Sequence, residues 1–369
     1  NNHRTLSLSF GFSFEDLYNR DALVRLDDVF LSQLQEATPD LHARLMAARQ
    51  DPASLALKES SELIIEVAPH LEDFIGKLFG IHKALHDLQA RHHELAPLYA
   101  VKRKFIQKKA LTGQTPEKAS AIDGYAVAAE LEAFTLEPLT ERSFADHVSR
   151  WMEDETAHAE ALRLAALYAA WAVLTPEGKK KHHAGVLFRQ PHKLDMLHLV
   201  PSSAIETHGL VQLQFKPEQW RNREGFQLTE AGTELTGALE QANYCIKCQN
   251  QGKDSCWHGL KEKDGTFKAS VFGVKLAGCP LEEKISEMNL LKGDGVPVGA
   301  LAVVTIDNPM AAGTGHRICN DCMKSCIYQK QEPVDIPQVE TRVLKDVLAL
   351  PWGFEIYALL TRWNPLDIR

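Results

Sequence analysis

Seven cysteines, Cys245, Cys248, Cys256, Cys279, Cys319, Cys322 and Cys326, all fall in the last third of this 369-residue chain. CIKCQNQGKDSC spaces the first three as Cys245-x2-Cys248-x7-Cys256, GCPL sets Pro280 directly after Cys279, and ICNDCMKSC gives Cys319-x2-Cys322-x3-Cys326. A C-x2-C turn brings two thiolates to one metal centre, because the backbone between them folds tightly with its amides facing the sulfurs. A Cys followed by Pro is familiar from iron–sulfur loops, where the fourth thiolate of a run often serves the other of two clusters. The rival is a four-thiolate zinc site made from the two C-x2-C pairs, which stand roughly seventy residues apart, far beyond the spacing of small zinc modules. Zinc leaves Cys256, Cys279 and Cys326 idle, whereas two neighbouring clusters use more than four thiolates, so the spacing favours iron–sulfur. Inert buried thiols rarely come in paired loops. A disulfide scaffold would be small, secreted and evenly stapled, and this chain is not.

Helices must deliver these thiols. LTEAGTELTGALEQANY, 228 to 244, has helical periodicity and runs directly into Cys245. Upstream, from about Phe14 to Leu174, LVRLDDVFLSQLQ, LIIEVAPHLEDFIGKLFGIHKALHDLQ and SFADHVSRWMEDETAHAEALRLAALYAAWAVL repeat apolar residues three and four apart, the pattern of a helical bundle. TPEG at 175 to 178 is expected to end the last long helix and KKKHHAG to follow as a surface loop. Between 185 and 226, VLFRQP, MLHLVP and LVQLQF fit either short strands or extended connections.

The expected fold is therefore mostly α: a helical bundle over 1–184, an irregular connection over 185–227, a helical, loop-rich metal domain over 228–345, and a linker over 346–369. At 44% hydrophobic the chain can bury a sizeable core, and its net charge of -8 argues against non-specific nucleic-acid binding, which depends on cationic side chains. LRLAALYAAWAVL, the longest apolar run, is too short to cross a bilayer and reads as a buried helix. The start NNHRTLSLSF has no initiator Met and none of the parts of a signal peptide, so the expectation is a trimmed chain and a cytoplasmic location.

GCPLEEKISEMN, ALAVVTIDNPMAAGTGHRIC and CIYQKQEPVDIPQVE, in that order behind a helix ending in C-x2-C, resemble the N-terminal iron–sulfur domain of the NADPH-dependent glutamate synthase small subunit, which also opens dihydropyrimidine dehydrogenase. The resemblance covers about residues 228 to 341. It implies two [4Fe-4S] clusters that carry electrons between a flavin and a partner acceptor. By position, Cys245, Cys248, Cys256 and Cys326 would share one cluster, while Cys279, Cys319 and Cys322 would hold the other, one ligand short. The family completes that cluster with a Glu or Gln after the last Cys; the matching position is Glu340, with Gln338 as the fallback. The plain reading of Glu340 is the exposed face of the next helix. Two features depart from the family: 22 residues, WHGLKEKDGTFKASVFGVKLAG, separate Cys256 from Cys279, and ICNDC lacks the usual Cys-Pro start.

The resemblance further implies FAD and NAD(P)H on a flavin-binding domain or subunit, with a separate electron-acceptor protein. No G-x-G-x2-G occurs here; GTGHRI fails at its last position, and WNPLDIR falls about where a nucleotide-binding strand would begin in the family. The expectation is thus an electron-transfer module, with hydride chemistry elsewhere and no catalytic residue on this chain; the alternative is a zinc-stabilised interaction scaffold. Glu155 and His158 form an E-x2-H pair at di-iron spacing, but a di-iron bundle needs two such pairs, so ordinary helix surface is the better reading. His92, His93, His182 and His183 read as solvated loops or helix ends. KRKFIQKK, Lys102 to Lys109, reads as the polar face of a helix, with docking of an acidic partner as the functional alternative.

Overall fold

The computed structural model describes residues 7–200, 202–215, 220, 222, 224–228, 232–316 and 318–369. The protein is mostly helical, with one antiparallel hairpin, Ser202–Thr207 paired with Leu210–Phe215, as the sheet among the described residues. Of the three ambiguous stretches, LVQLQF is a strand, while VLFRQP and the described part of MLHLVP are irregular. His208 and Gly209, at φ 54° and 74°, form the hairpin's two-residue turn, whose left-handed backbone matches the strand twist.

The helices start and stop for local reasons. Asn19 caps Arg20–Ala37 by accepting from the amides of Asp21 and Ala22 at 3.0 and 3.1 Å, and Ala22, Leu26, Phe30 and Leu34 line its buried stripe. LIIEVAPHLEDFIGKLFGIHKALHDLQ is two helices, Leu57–Phe79 and His82–Val101, parted at Gly80, whose φ of 64° is the left-handed C-terminal stop that glycine tolerates. The long segment from Ser143 likewise splits into Glu141–Trp151 and Ala159–Leu174. Thr175 does end the latter, yet it also caps a short helix, Pro176–Lys181, by accepting from the Gly178 amide at 3.0 Å, so the three lysines that open the expected KKKHHAG loop are helical.

Two apolar cores divide the chain differently from the expected boundary at residue 184. One unites residues 8 to 88 with residues 242 to 368; the other draws together residues 98 to 188 with Leu239. The helix His82–Val101 feeds both. At the centre of the first core lies Pro297–Asp307, whose run Pro297–Thr305 is apolar on nearly every side and buried throughout. Glu72, from Leu57–Phe79, accepts from the Val298 and Gly299 amides at 2.7 and 3.2 Å and so caps this central helix from within the core.

Residues 346–369 are not a free linker. Ile336–Leu348 and Gly353–Leu360 are helices, and Trp363 sits between Phe30 and Phe74, with ring centroids at 6.0 and 5.6 Å. Its indole N–H donates to Asp27 Oδ1 at 3.0 Å, and Leu366 and Ile368 are buried beside it. Burial of these apolar side chains, about 25 cal/mol per Å² of surface removed from water, holds the segment against the N-terminal helices. Among the described residues no helix is long and apolar enough to cross a membrane.

Candidate functional site

Leu235–Tyr244 ends at Cys245, and the chain then turns sharply through Lys247, at φ 59°, into the short turn Cys248–Gln251. That reversal brings Cys248 back beside Cys245 and points the Lys247 amide at the Cys245 Sγ, 3.5 Å away. Asp254 then starts the single helical turn Ser255–His258 that carries Cys256. Cys326 arrives from the far side of the sequence, just after Asp321–Ser325. These four cysteines line one pocket, together with Ile285, Val334, Ile336 and Tyr328.

The pocket makes thiolates costly unless a cation is present. Burial pushes the Cys248 thiol up to about 12 and the Cys256 thiol well above its ordinary value, with Asp254 and neighbouring cysteines adding to both. The Cys326 thiol is raised by burial, opposed by hydrogen bonds from the Val334 and Tyr328 amides. Asn289, 0% exposed on Ile285–Gly293, lines the same pocket, and neither its Nδ2 nor its Oδ1 has a hydrogen-bond partner. An unpaired buried amide costs about 1–3 kcal/mol. Iron with inorganic sulfide would give the thiolates a cation and Asn289 Nδ2 an acceptor, so these residues fit an iron–sulfur group.

The other three cysteines gather elsewhere. Cys279 is within electrostatic range of Cys319, and Cys322 is within electrostatic range of Cys279, Glu283 and Glu340. Cys319 is exposed and Cys279 half-buried. Amides again face sulfur, those of Leu281 and Glu283 at Cys279 and that of Met323 at Cys322. Glu340 is buried at 9% exposure, unlike the solvent-facing residue its sequence position also permits. Burial pushes its carboxyl up to about 8, with Glu283 adding to the shift. Gln338 is also buried, but its Oε1 lies toward Gly232, whereas Glu340 Oε1 lies toward Gly315 and accepts from Asn308 Nδ2 at 3.3 Å.

The 22-residue insert does not separate the sets. Leu260 donates to Leu276 O at 2.9 Å and Lys268 to Leu260 O at 2.8 Å, so the insert doubles back on itself. Its ends meet so closely that a Cβ at Gly278, φ 88°, would lie 2.2 Å from the Trp257 carbonyl oxygen. The Cys279 amide then donates to Cys256 O at 2.8 Å.

The two C-x2-C pairs thus belong to different sets, and the zinc site that would combine them is not assembled. Among the described residues no group of three or more His, Cys, Asp and Glu side chains is placed to hold a single metal ion. A cubane makes a different demand, because each thiolate takes its own iron and the sulfurs stand farther apart.

Glu155 and His158 lie in the turn between two helices, not on one helix face, and Glu155 pairs with Lys109. His92 is not solvated: it is 2% exposed, with Nδ1 2.8 Å from Leu88 O and Nε2 2.7 Å from Lys292 Nζ. His93 meets Asp294 O at 3.1 Å, His182 meets the Tyr168 hydroxyl at 2.9 Å, and His183 is exposed. KRKFIQKK is a π-helix, Lys102–Ala110, with Phe105 and Ile106 buried and Lys102 paired in the interior with Glu240, so it is more than a polar face. The sequence reading missed Glu283 and Asn289. Glu283 sits four residues after Cys279, a nearness that was the available signal; Asn289 carries no signal outside its burial.

Fold and site together define a mostly helical protein in which two sets of soft donors share one domain core. A family model described as the RP005 N-terminal alpha-helical domain matches residues 8–80. The chain is 30% identical over 302 residues to the uncharacterized protein RP005 of Rickettsia prowazekii (strain Madrid E), covering 78% of this chain and 98% of that protein. It belongs to the RP005 family. A 59-residue stretch is 68% identical to the uncharacterized protein RP006 of the same organism, covering 16% of this chain and 8% of that one. No solved structure matches. These findings overturn the resemblance to the glutamate synthase small subunit and dihydropyrimidine dehydrogenase: short cysteine motifs in similar order suggested it, but the relationship that spans the chain is to RP005.

Proposed function

We propose that this chain is an electron-transfer protein that holds two [4Fe-4S] clusters, one on Cys245, Cys248, Cys256 and Cys326 and one on Cys279, Cys319, Cys322 and Glu340, and that relays electrons between partner proteins. The observation that carries the reading is the pocket in which Cys245, Cys248 and Cys256 meet the sequence-distant Cys326, with a buried amide left unpaired among them. When bound, such clusters supply one-electron redox chemistry at potentials set by cluster type, hydrogen bonds to sulfur and solvent exposure.

The chain's own contribution is placement. The Lys247, Tyr328 and Val334 amides hold sulfurs of the first set, and Ile285, Val334 and Ile336 keep water from them. The Cys256–Cys279 backbone bond keeps the sets adjacent, which favours electron exchange between them. Exposed Cys319 puts the second set nearer the surface, where a partner protein has access.

Protein purified anaerobically is expected to be brown, to carry about eight irons per chain as two four-iron clusters require, and to give EPR signals on dithionite reduction. A colourless preparation that cannot be loaded with iron and sulfide, or one carrying a single tightly held zinc, would overturn the proposal.

A further inference from the structure

The insert between Cys256 and Cys279 walls a groove beside the first cysteine set. Lys261 pairs with Phe267 and Ala269 with Lys275 as antiparallel bridges, and the Ser270 amide donates to Val274 O at 2.8 Å to close a second turn. That turn leaves Val271 and Phe272 69% and 60% exposed, apolar side chains that stand in solvent. With residues 193–197 and Lys330, the insert encloses a groove of about 920 Å³ whose apolar lining is Leu194, Leu197, Val271, Leu276 and Ile327. Ile327 follows Cys326 in the chain and also lines the four-cysteine pocket, so groove and pocket share a wall.

Cations surround this apolar lining. Lys193, Lys268 and Lys330 line the groove, and Lys263 and Lys275 stand on the insert; all are exposed, and among the described residues none of them pairs with a carboxylate. Two of the three acids on this face are held by their own loops. Asp195 accepts from the Leu197 amide at 3.0 Å and lies 2.7 Å from His198 Nδ1, and Asp264 accepts from the Thr266 amide and hydroxyl at 3.0 and 2.7 Å. Glu262 is the third. A local excess of lysine on a chain of net charge -8 orients an acidic protein, which the rest of the surface repels and this face attracts.

We propose that this groove docks a small acidic one-electron carrier protein, which seats an apolar side chain against Ile327 and exchanges electrons with the Cys245, Cys248, Cys256 and Cys326 set. The proposal names a partner for the two-cluster reading and rests on it. A concave groove suits a convex protein surface and not the plane of a bilayer, and its cations stand on exposed loops instead of converging in a closed pocket as a small-molecule site requires. Exchange moves a single electron, oxidising one centre as the other is reduced, with no bond made or broken. The relay then has two ports, because exposed Cys319 belongs to the other set.

The test uses the 369-residue chain reconstituted anaerobically with iron and sulfide. Calorimetric titration measures binding of an acidic plant-type [2Fe-2S] ferredoxin, with basic cytochrome c as the opposite charge, and stopped flow follows electron exchange with the ferredoxin in both directions. Lys193→Glu, Lys268→Glu and Lys330→Glu combined should weaken ferredoxin binding and slow exchange roughly tenfold or more, while Lys104→Glu, Lys108→Glu and Lys180→Glu combined, an equal change of net charge elsewhere, should do neither. Binding should weaken as salt is raised. Replacing residues 261–275 by Asn-Gly should likewise weaken binding while the iron stays. The proposal is overturned if ferredoxin does not bind wild type, if it binds without exchanging electrons, if cytochrome c binds as well, or if the two triple variants act alike. Tighter, groove-dependent binding of phosphatidylserine vesicles would assign the face to a membrane instead. Iron content and EPR report separately on the clusters: iron-loaded protein that ignores ferredoxin refutes the docking alone, whereas groove-dependent ferredoxin binding by protein that takes up no iron sinks the two-cluster reading.

Discussion

The backbone amide of Cys279 donates to the carbonyl of Cys256 at 2.8 Å, although 22 residues lie between them. Two sets of thiols are tied together through this main-chain bond, seconded by the Gly278 amide donating to Ser325 Oγ at 2.9 Å, and the loop between them is a closed excursion.

That closure makes the excursion dispensable. Leu260 and Leu276 already face each other through a backbone hydrogen bond, so replacing residues 261–275 by Asn-Gly should leave both sets intact. Shortening a loop lowers its closure entropy by only a few tenths to about 1 kcal/mol. Iron content should stay at the wild-type value and Tm should move by no more than a few degrees; loss of half the iron would show that the excursion itself shapes a site.

Asn289 should behave oppositely in metal-free and loaded protein. Asn289→Leu removes an unpaired buried amide, so the metal-free protein should gain about 1–3 kcal/mol in urea unfolding. In protein loaded with the proposed clusters, the same change would remove a hydrogen bond to sulfur. Such bonds favour the more negative, reduced state, so one midpoint potential should fall while the other stays put. Redox titration followed by EPR checks this, and an unchanged pair of potentials would refute it.

The cysteine sets should be separable. Cys245→Ser should cost one cluster and Cys279→Ser the other, each leaving about four irons per chain in reconstituted protein. Iron analysis with EPR distinguishes this from a four-thiolate zinc site, in which Cys279→Ser would be silent and Cys245→Ser would release the only metal.

Glu72 should write a pH dependence into stability. Burial, its largest influence, lifts its carboxyl from 4.5 to about 7, against the opposing hydrogen bonds from Gln89, Gly299 and Val298. A raised carboxyl binds its proton more tightly folded than unfolded. Its contribution is therefore fully present below about 4.5, declines as pH rises, and levels off above about 7. The loss across that window is on the order of 3 kcal/mol. Glu72→Gln should abolish this component, so the Tm difference between variant and wild type should widen in the variant's favour from pH 4.5 to 7.5. A constant difference would contradict the assignment.

Helical periodicity and the grouping of cysteines were legible from residue order, because both are local. Apolar residues three and four apart must share a helix face, and thiols two residues apart can meet in one turn whatever the rest of the chain does. Those local patterns also misled, since cysteine loops of one order suggested a family to which the whole chain does not belong. Residue order did not disclose the break at Gly80 as a boundary between helices, nor the docking of Trp363 against Phe30 and Phe74. Only the tertiary structure brought Cys326 to Cys245, Cys248 and Cys256, buried His92 against Lys292, and buried Glu340. The reason is that burial is decided by what other segments cover. A glutamate such as Glu340 has the same sequence neighbours whether its helix face meets water or protein, and its chemistry follows from the difference.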